Sequence, residues 1–367
     1  MLIAEMINYL ERHYPKSLAY DKDPIGLQLG KQSRELTKAL VTLDVTVDVV
    51  DEAIEKGANF IVAHHPFIYR PLKAIDTETV KGRIVEKCLQ NNIAIYAMHT
   101  NYDIAENGMN DVLAKALGLK NLRPLSITKE EAYVKLAVFV PATHEEAVRT
   151  ALGTAGAGQM GNYSDCTFTS HGTGRFKPLA GSNPFLGELH ELESVQEVKI
   201  EGIALQKDVG FILEEVRKAH PYEEPAFDIF HLQAPLNGKA YGLGRVGQAS
   251  EPMAVPDFIQ HVKKALHIDY ARYSGRQSQE IQRVAIVGGS GSSFMKAAKQ
   301  AGADLYITGD MGFHDAHDAL ELGLNVLDVG HYAESMMKRH IAALLQEAFG
   351  KESVLASKVD TDPFQLV

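Results

Sequence analysis

The sequence predicts an α/β fold: a discontinuous, internally duplicated α/β domain interrupted by an inserted ferredoxin-like α+β domain. Three observations carry that expectation. Short β-branched runs alternate with helical periods from Thr37 to Met98, the grammar of βαβ units around a parallel sheet. The same alternation returns near the C-terminus. Between the two, from about Lys129 to Pro235, the pattern changes to βα, a polar excursion, then βαβ. The expected boundaries are 1–128 and 236–367 for the two halves of the first domain and 129–235 for the insert.

In chain order, MLIAEMINYLERHYP reads as an amphipathic helix packed through Leu2, Ile3, Met6, Ile7 and Leu10. It has early acids and no basic leading region, so it is expected to be neither a signal peptide nor a membrane span. In YDKDPIGLQLG, residues Asp21, Asp23, Pro24 and Gly26 form a turn that could lid a site or simply redirect the chain. KALVTLDV, ANFIVAHHP and IAIYAMHT are strands, separated by the helices VVDEAIEKG and VKGRIVEKCLQNN. Cys88 lies on the apolar side of the latter with Ile84 and Val85, where core packing is the ordinary role.

The insert opens with the strand AYVKLAVFVP and the helix HEEAVRTALGTAG. A Gly/Ser/Thr-rich stretch follows, then VQEVKIEGIAL, VGFILEEVRKAH and EPAFDIFHL, with Pro235, Asn237 and Gly238 marking the return. The second half supplies IQRVAIVGG, SSFMKAAKQAG, ADLYITGD, HDALELG, LNVLDVGH and a helix from about Ala333 to Phe349. Gly57–His65 lies over Gly302–Asp310, and Ala94–His99 over Val326–His331, which brings polar residues to the carboxyl ends of equivalent strands.

Composition narrows the function classes. The chain has 367 residues, enough for two to three domains, with 45% apolar residues for real cores. Thirty-seven Lys+Arg against 47 Asp+Glu leave a net charge of −10 with no basic run, which disfavours nucleic acid as a partner. Cys88 and Cys166 stand far apart without a CxxC partner, so neither a disulfide framework nor a zinc ribbon is available, and a reducing cytoplasm fits.

The chemistry concentrates at strand ends. Neighbouring side chains of a strand point to opposite faces, so His64 and His65 would not both reach one metal from a regular strand, but a pair at a frayed strand end could serve two adjacent metals. Pro66 enforces the extended exit. His99 and Asp103 follow a second buried strand, and His331 and Glu334 follow a third, sharing one face if a helix starts there. Imidazoles and carboxylates converging from three strand ends suit a first-row divalent metal. His99, Asp44, Asp310 and His314 could orient a ligand imidazole or shuttle a proton. Gly288-Gly289-Ser290-Gly291-Ser292-Ser293 joins a strand to a helix without GK[ST], and reads as a tight turn or a phosphate cradle.

AHHPFIY, HTNYD, TGD with His314 close behind, GHYAE, the early GLQLG and the CutA-like HPYEEPAFDIF together resemble the Nif-three-like dinuclear metal-centre family. Its members are often named GTP cyclohydrolase 1 type 2 homologues. The resemblance covers essentially the whole chain, in the long form with a CutA/PII-like insert. It implies two divalent ions per chain (Zn, Mn, Fe, Co or Ni), with His65 and Asp103 on one, His64 and His331 on the other, and Glu334 bridging. Some members carry the acid one residue later than Glu334. The resemblance further implies a homohexamer and a hydrolase in which metal-bound hydroxide attacks a purine nucleotide, with His99, His314 and Asp310 as candidates for proton movement.

Two rivals remain at this stage. One keeps the metals and hydrolyses a phosphoester of a nucleotide or other small phosphate-bearing substrate. The other is a non-enzymatic metal- or ligand-sensing oligomer gated by the insert. No membrane association is expected.

Overall fold

The computed structural model describes residues 1–232, 239–276 and 280–365. The return residues Pro235, Asn237 and Gly238 lie outside the described residues. The chain divides into two compact units, Met1–Lys129 with Tyr241–Val367, and Glu130–Ala240.

The first half of the larger unit contributes strands β1 (Gly26–Leu29), β2 (Ala39–Thr42), β3 (Phe60–Ala63), β4 (Ala94–Ala97) and β5 (Lys120–Glu130). The smaller unit contributes β6 (Tyr133–Pro141), β7 (Thr167–Phe176), β8 (Glu193–Leu205) and β9 (Ala226–His231). Then come β10 (Ala240–Ala254), β11 (Arg272–Ser274), β12 (Glu280–Ser290), β13 (Leu305–Gly309), β14 (Asn325–Asp328) and β15 (Val354–Ala356).

Two sheets build the larger unit, in the orders β1-β4-β3-β2-β15 and β11-β14-β13-β12-β10-β5. In each, three central strands run parallel and an antiparallel strand closes one edge, β1 on β4 and β11 on β14. Every residue of β2, β3 and β4 is buried, which is why these runs are apolar without alternation. The intervening helices start where hydroxyl caps stand ready: Thr46 accepts from Val49 N ahead of Val47–Glu55, and Thr79 from Gly82 N ahead of Val80–Gln90.

Three expectations need correction. Leu2 precedes the first helix (Ile3–His13) and is 39% exposed, so the buried stripe is Ile3, Met6, Ile7 and Leu10. Gly26, expected in the turn with Asp21, Asp23 and Pro24, instead opens the edge strand β1. The expected match between the two segments also slips by one residue: Phe60 pairs with Ala94 in the first sheet while Leu305 pairs with Asn325 in the second, so Ala94 matches Asn325 and not Val326. In a period-two structure a one-residue slip exchanges faces, so His331 stands one step beyond the position of His99.

In the smaller unit, two helices (Glu145–Thr154 and Val209–Ala219) and a four-stranded antiparallel sheet of order β7-β8-β6-β9 follow one another as β-α-β-β-α-β. Val134, Leu136, Val138, Val198 and Ile200 bury against Val148, Leu152, Ile212 and Val216. No helix among the described residues is long and apolar enough to cross a membrane.

Candidate metal centre

His64 and His65 follow β3 directly, Asp103 lies in the short helix Thr100–Ile104 after β4, and His331 and Glu334 lie in a 3-10 helix, His331–Met336, after β14. The last element is tighter than the α-helix the spacing suggested, and with three residues per turn it eclipses positions i and i+3. That eclipse sets Glu334 Oε2 3.3 Å from its own helix neighbour His331 Nε2.

The same oxygen is 3.3 Å from His65 Nε2 and 3.6 Å from His64 Nε2. His65 Nε2 and His331 Nε2 are 3.2 Å apart, and His64 Nε2 is 3.6 Å from Asp103 Oδ1. Donor atoms therefore fall into three overlapping sets: His65, His331 and Glu334; His64, Asp103 and Glu334; and His64, His65 and His99. The resemblance implied His65 with Asp103 and His64 with His331 around a bridging Glu334, and all five side chains meet in this one cluster. Consecutive residues leave the end of β3 in opposite directions, His64 into the buried side with Asp103 and His65 toward the 3-10 helix.

Each imidazole is aimed by its other nitrogen. His64 Nδ1 donates to the Met98 carbonyl (2.9 Å), His65 Nδ1 to Asp44 Oδ1 (2.7 Å) and His331 Nδ1 to Asp310 Oδ2 (2.6 Å). With Nδ1–H committed, Nε2 of each ring, a lone-pair donor once that ring is neutral, points toward the other rings and toward two carboxylates. Such an all-acceptor cluster is satisfied only by protons or by a cation. Two ligand atoms bound at ~2.1 Å to a tetrahedral ion lie about 3.4 Å apart, the spacing found here.

Burial sharpens the case. His64 and Glu334 are 1% and 3% exposed, and among the described residues His64 Nε2 and Asp103 Oδ1 are buried without any hydrogen-bond partner. Burial holds His64 neutral, lowering its pKa to about 3 against the pull of Glu334. Burial together with the Glu334 charge pushes Asp103 well above the usual carboxylate range. Burial opposes charge on His65 as well, but hydrogen bonds to Asp44 and Glu334 outweigh it and raise that ring to about 10. A hydrogen bond to Glu334 raises His331 to about 9. Glu334 itself is kept ionised despite burial by its hydrogen bonds from the charged His331 and His65 rings.

The surrounding backbone makes room. A Cβ on Gly289, whose φ is +62°, would stand 2.9 Å from Glu334 Oε1, and one on Gly288 2.8 Å from it. The glycine-rich run thus forms a wall of the centre.

His99 sits beside this cluster, its ring centroid 5.3 Å from that of His64, and its Nδ1 donates to Asp23 Oδ1 at 2.8 Å. Asp23 also accepts from Thr100 N at 3.0 Å. Asp310 stands behind His331 and has the geometry of a positioning residue. His314 is exposed on the helix Phe313–Glu321 with its ring 5.5 Å from Phe313, and among the described residues no hydrogen bond or ring contact ties it to the cluster. Sequence reasoning did not find the Met98 carbonyl, which any residue would supply, or the Asp23–His99 pair, whose members are 76 positions apart.

The sequence matches the family described as Duf34/NIF3 (NGG1p interacting factor 3) over residues 1–363. The chain belongs to the DUF34/NIF3 family. It is 46% identical over 366 residues to the GTP cyclohydrolase 1 type 2 homolog of Halalkalibacterium halodurans, covering 99% of this chain and 98% of that protein. The protein of the same name from Bacillus subtilis is 45% identical, covering 98% of this chain and 97% of its own. Among solved structures, the Bacillus cereus protein related to NIF3 superposes with a TM-score of 0.90 at 46% identity, covering 100% of this chain and 99% of that one. HcgD from Methanocaldococcus jannaschii, 21% identical with a TM-score of 0.60 and 98% of each chain covered, shares the fold. Within a NIF3 fold, then, this chain carries His/Glu groups that could hold a metal ion.

Proposed function

We propose that the chain is a two-cation, metal-dependent hydrolase acting on a purine nucleotide, in line with the name its relatives carry. The observation that carries the reading is the pair of buried, partnerless acceptors, His64 Nε2 and Asp103 Oδ1, facing Glu334 Oε2, which also serves His65 and His331. Each donor set supplies only three protein ligands, so open positions would remain for water and a substrate oxygen.

His65, His331 and Glu334 would hold one divalent ion, and His64, Asp103 and Glu334 the other, drawn from Zn, Mn, Fe, Co or Ni. Bound there, the ions would supply Lewis-acid polarisation and a water activated at neutral pH. Asp44 and Asp310 keep two ligand rings oriented. His99, backed by Asp23, is placed to carry a proton between the site and solvent.

We further read 129–235 as a ferredoxin-like, CutA/PII-like insert, supported by the β7-β8-β6-β9 order, and the 1–128 and 236–367 segments as halves of one metal-binding domain. A cytoplasmic homohexamer is the assembly that the family resemblance supports; mass measurement in solution tests it.

The deciding experiment is elemental analysis of untagged protein purified without chelator, followed by a screen of GTP and model phosphoesters. About two ions per chain and metal-dependent formate release from GTP support the proposal. Phosphate release without formate would move the reading to a phosphoesterase. No bound ion after incubation with Mn, Fe or Zn would remove it.

A further inference from the structure

The smaller unit contains a second built site, unrelated to the cation centre and independent of the reading above. A cavity of ≈ 460 Å³ lies between the end of β7, the 177–192 segment and the turn that follows the helix Val209–Ala219. Its walls include Phe139, Phe176, Phe185 and Tyr222, with Glu197 also lining a neighbouring cavity of ≈ 330 Å³.

The cavity is pinned from several directions. His220, 7% exposed, joins Phe139 O through Nε2 (2.9 Å) and accepts from Tyr222 N through Nδ1 (3.0 Å). Tyr222 Oη donates to Glu197 Oε1 at 2.9 Å, and Asn183 N donates to Glu223 Oε2 at 2.9 Å. A Cβ on Gly174 would stand 2.1 Å from Glu197 Oε2, so a larger residue there would push this carboxylate from its present position. HPYEE and the Gly/Ser/Thr-rich stretch, which the cation centre does not use, are thus folded around one cavity.

Ring geometry indicates what fits. Tyr222 is 5.6 Å from Phe176 at an interplanar angle of 64°, and 6.5 Å from Phe185 at 52°. Parallel rings would form a slot for a flat heterocycle, whereas mutually tilted rings form the sides of a box. Three carboxylates, Glu197, Glu223 and Glu224, line it against one guanidinium, Arg175. Negative ring faces and excess carboxylate recognise positive charge spread over alkyl groups.

We propose that this cavity binds an organic cation, an alkylated ammonium group carried on a small molecule, with the aromatic rings around its alkyl groups and Glu197 opposite its charge. The test is calorimetric titration of the full chain with choline and with its neutral tert-butyl analogue. Choline should bind at least about fivefold more tightly than the analogue. Phe185→Leu and Glu197→Gln should each weaken choline by about three- to tenfold while leaving thermal unfolding unchanged. Phe185 is 48% exposed, so its replacement spares the fold. Equal affinity for the neutral analogue would overturn the proposal, as would absence of choline binding at millimolar concentration. Correctly folded variants that bind choline like the parent chain would also overturn it.

Discussion

The two halves of the larger unit use equivalent positions for opposite purposes. At the end of β3 stand His64 and His65; at the matching end of β13 stand Gly309 and Asp310. The first half places donor atoms there. The second places space and orientation: a Cβ on Gly309 would meet the Gly330 backbone at 2.8 Å, and Asp310, in the left-handed region at φ +55°, accepts from His331. The second half's donors come later, from the 3-10 helix beyond β14. Two similarly ordered sheets divide the labour, so equal substitutions at matching positions should have unequal effects.

Glu334→Ala should give the largest effect, taking bound metal from about two ions per chain toward none, because the His65/His331 and His64/Asp103 sets share this carboxylate. His65→Ala should cost one. Equal single-ion losses in elemental analysis would break the picture of a shared acid. Next comes Gly309→Ala, expected to destabilise by ~1–3 kcal/mol because the β14 turn must shift away from the new methyl group. An unchanged thermal midpoint would show that Gly309 is not a spacer.

Asp44→Asn and Asp310→Asn sharpen the comparison at the level of the ligand rings. Each should weaken one ion about 10- to 100-fold in competition with a chelator, and leave the His64/Asp103 ion in place. Proton counting probes the same rings more gently. In metal-free protein His65 and His331 hold their protons up to about 10 and about 9, so both are charged near neutral pH and must become neutral to bind an ion. Metal uptake should therefore release protons, and apparent affinity should rise with pH through the neutral range. Calorimetry in buffers of different ionisation enthalpy reads this, and a proton count of zero would contradict the charged rings. The smallest effect belongs to Thr361→Val, which removes the hydroxyl donating to Asp44 Oδ2 at 2.8 Å and should alter affinity only a few-fold.

What the residues disclosed in advance follows from how local each signal is. β2, β3 and β4 were legible because strands buried on both faces are continuous apolar runs. His64-His65-Pro66 gained its meaning from its company, since His99 with Asp103 and His331 with Glu334 also follow buried strands. β7 was hidden, since Thr167–Phe176 carries Gly, Ser and Thr on a sheet edge and shows no apolar alternation. Asp23 read as a turn residue because its partner His99 is brought to it only by the packed fold.

One carboxylate oxygen facing three imidazoles has a thermodynamic consequence. If both of its donor sets fill, Glu334 Oε2 belongs to two equilibria at once, and the ions cannot load as independent isotherms. Whatever factor the first ion imposes on the second, the second must impose on the first. Mixed-metal occupancy would then be decided jointly, by which pair of ions tolerates a common ligand, and not by ranking each ion's affinity alone.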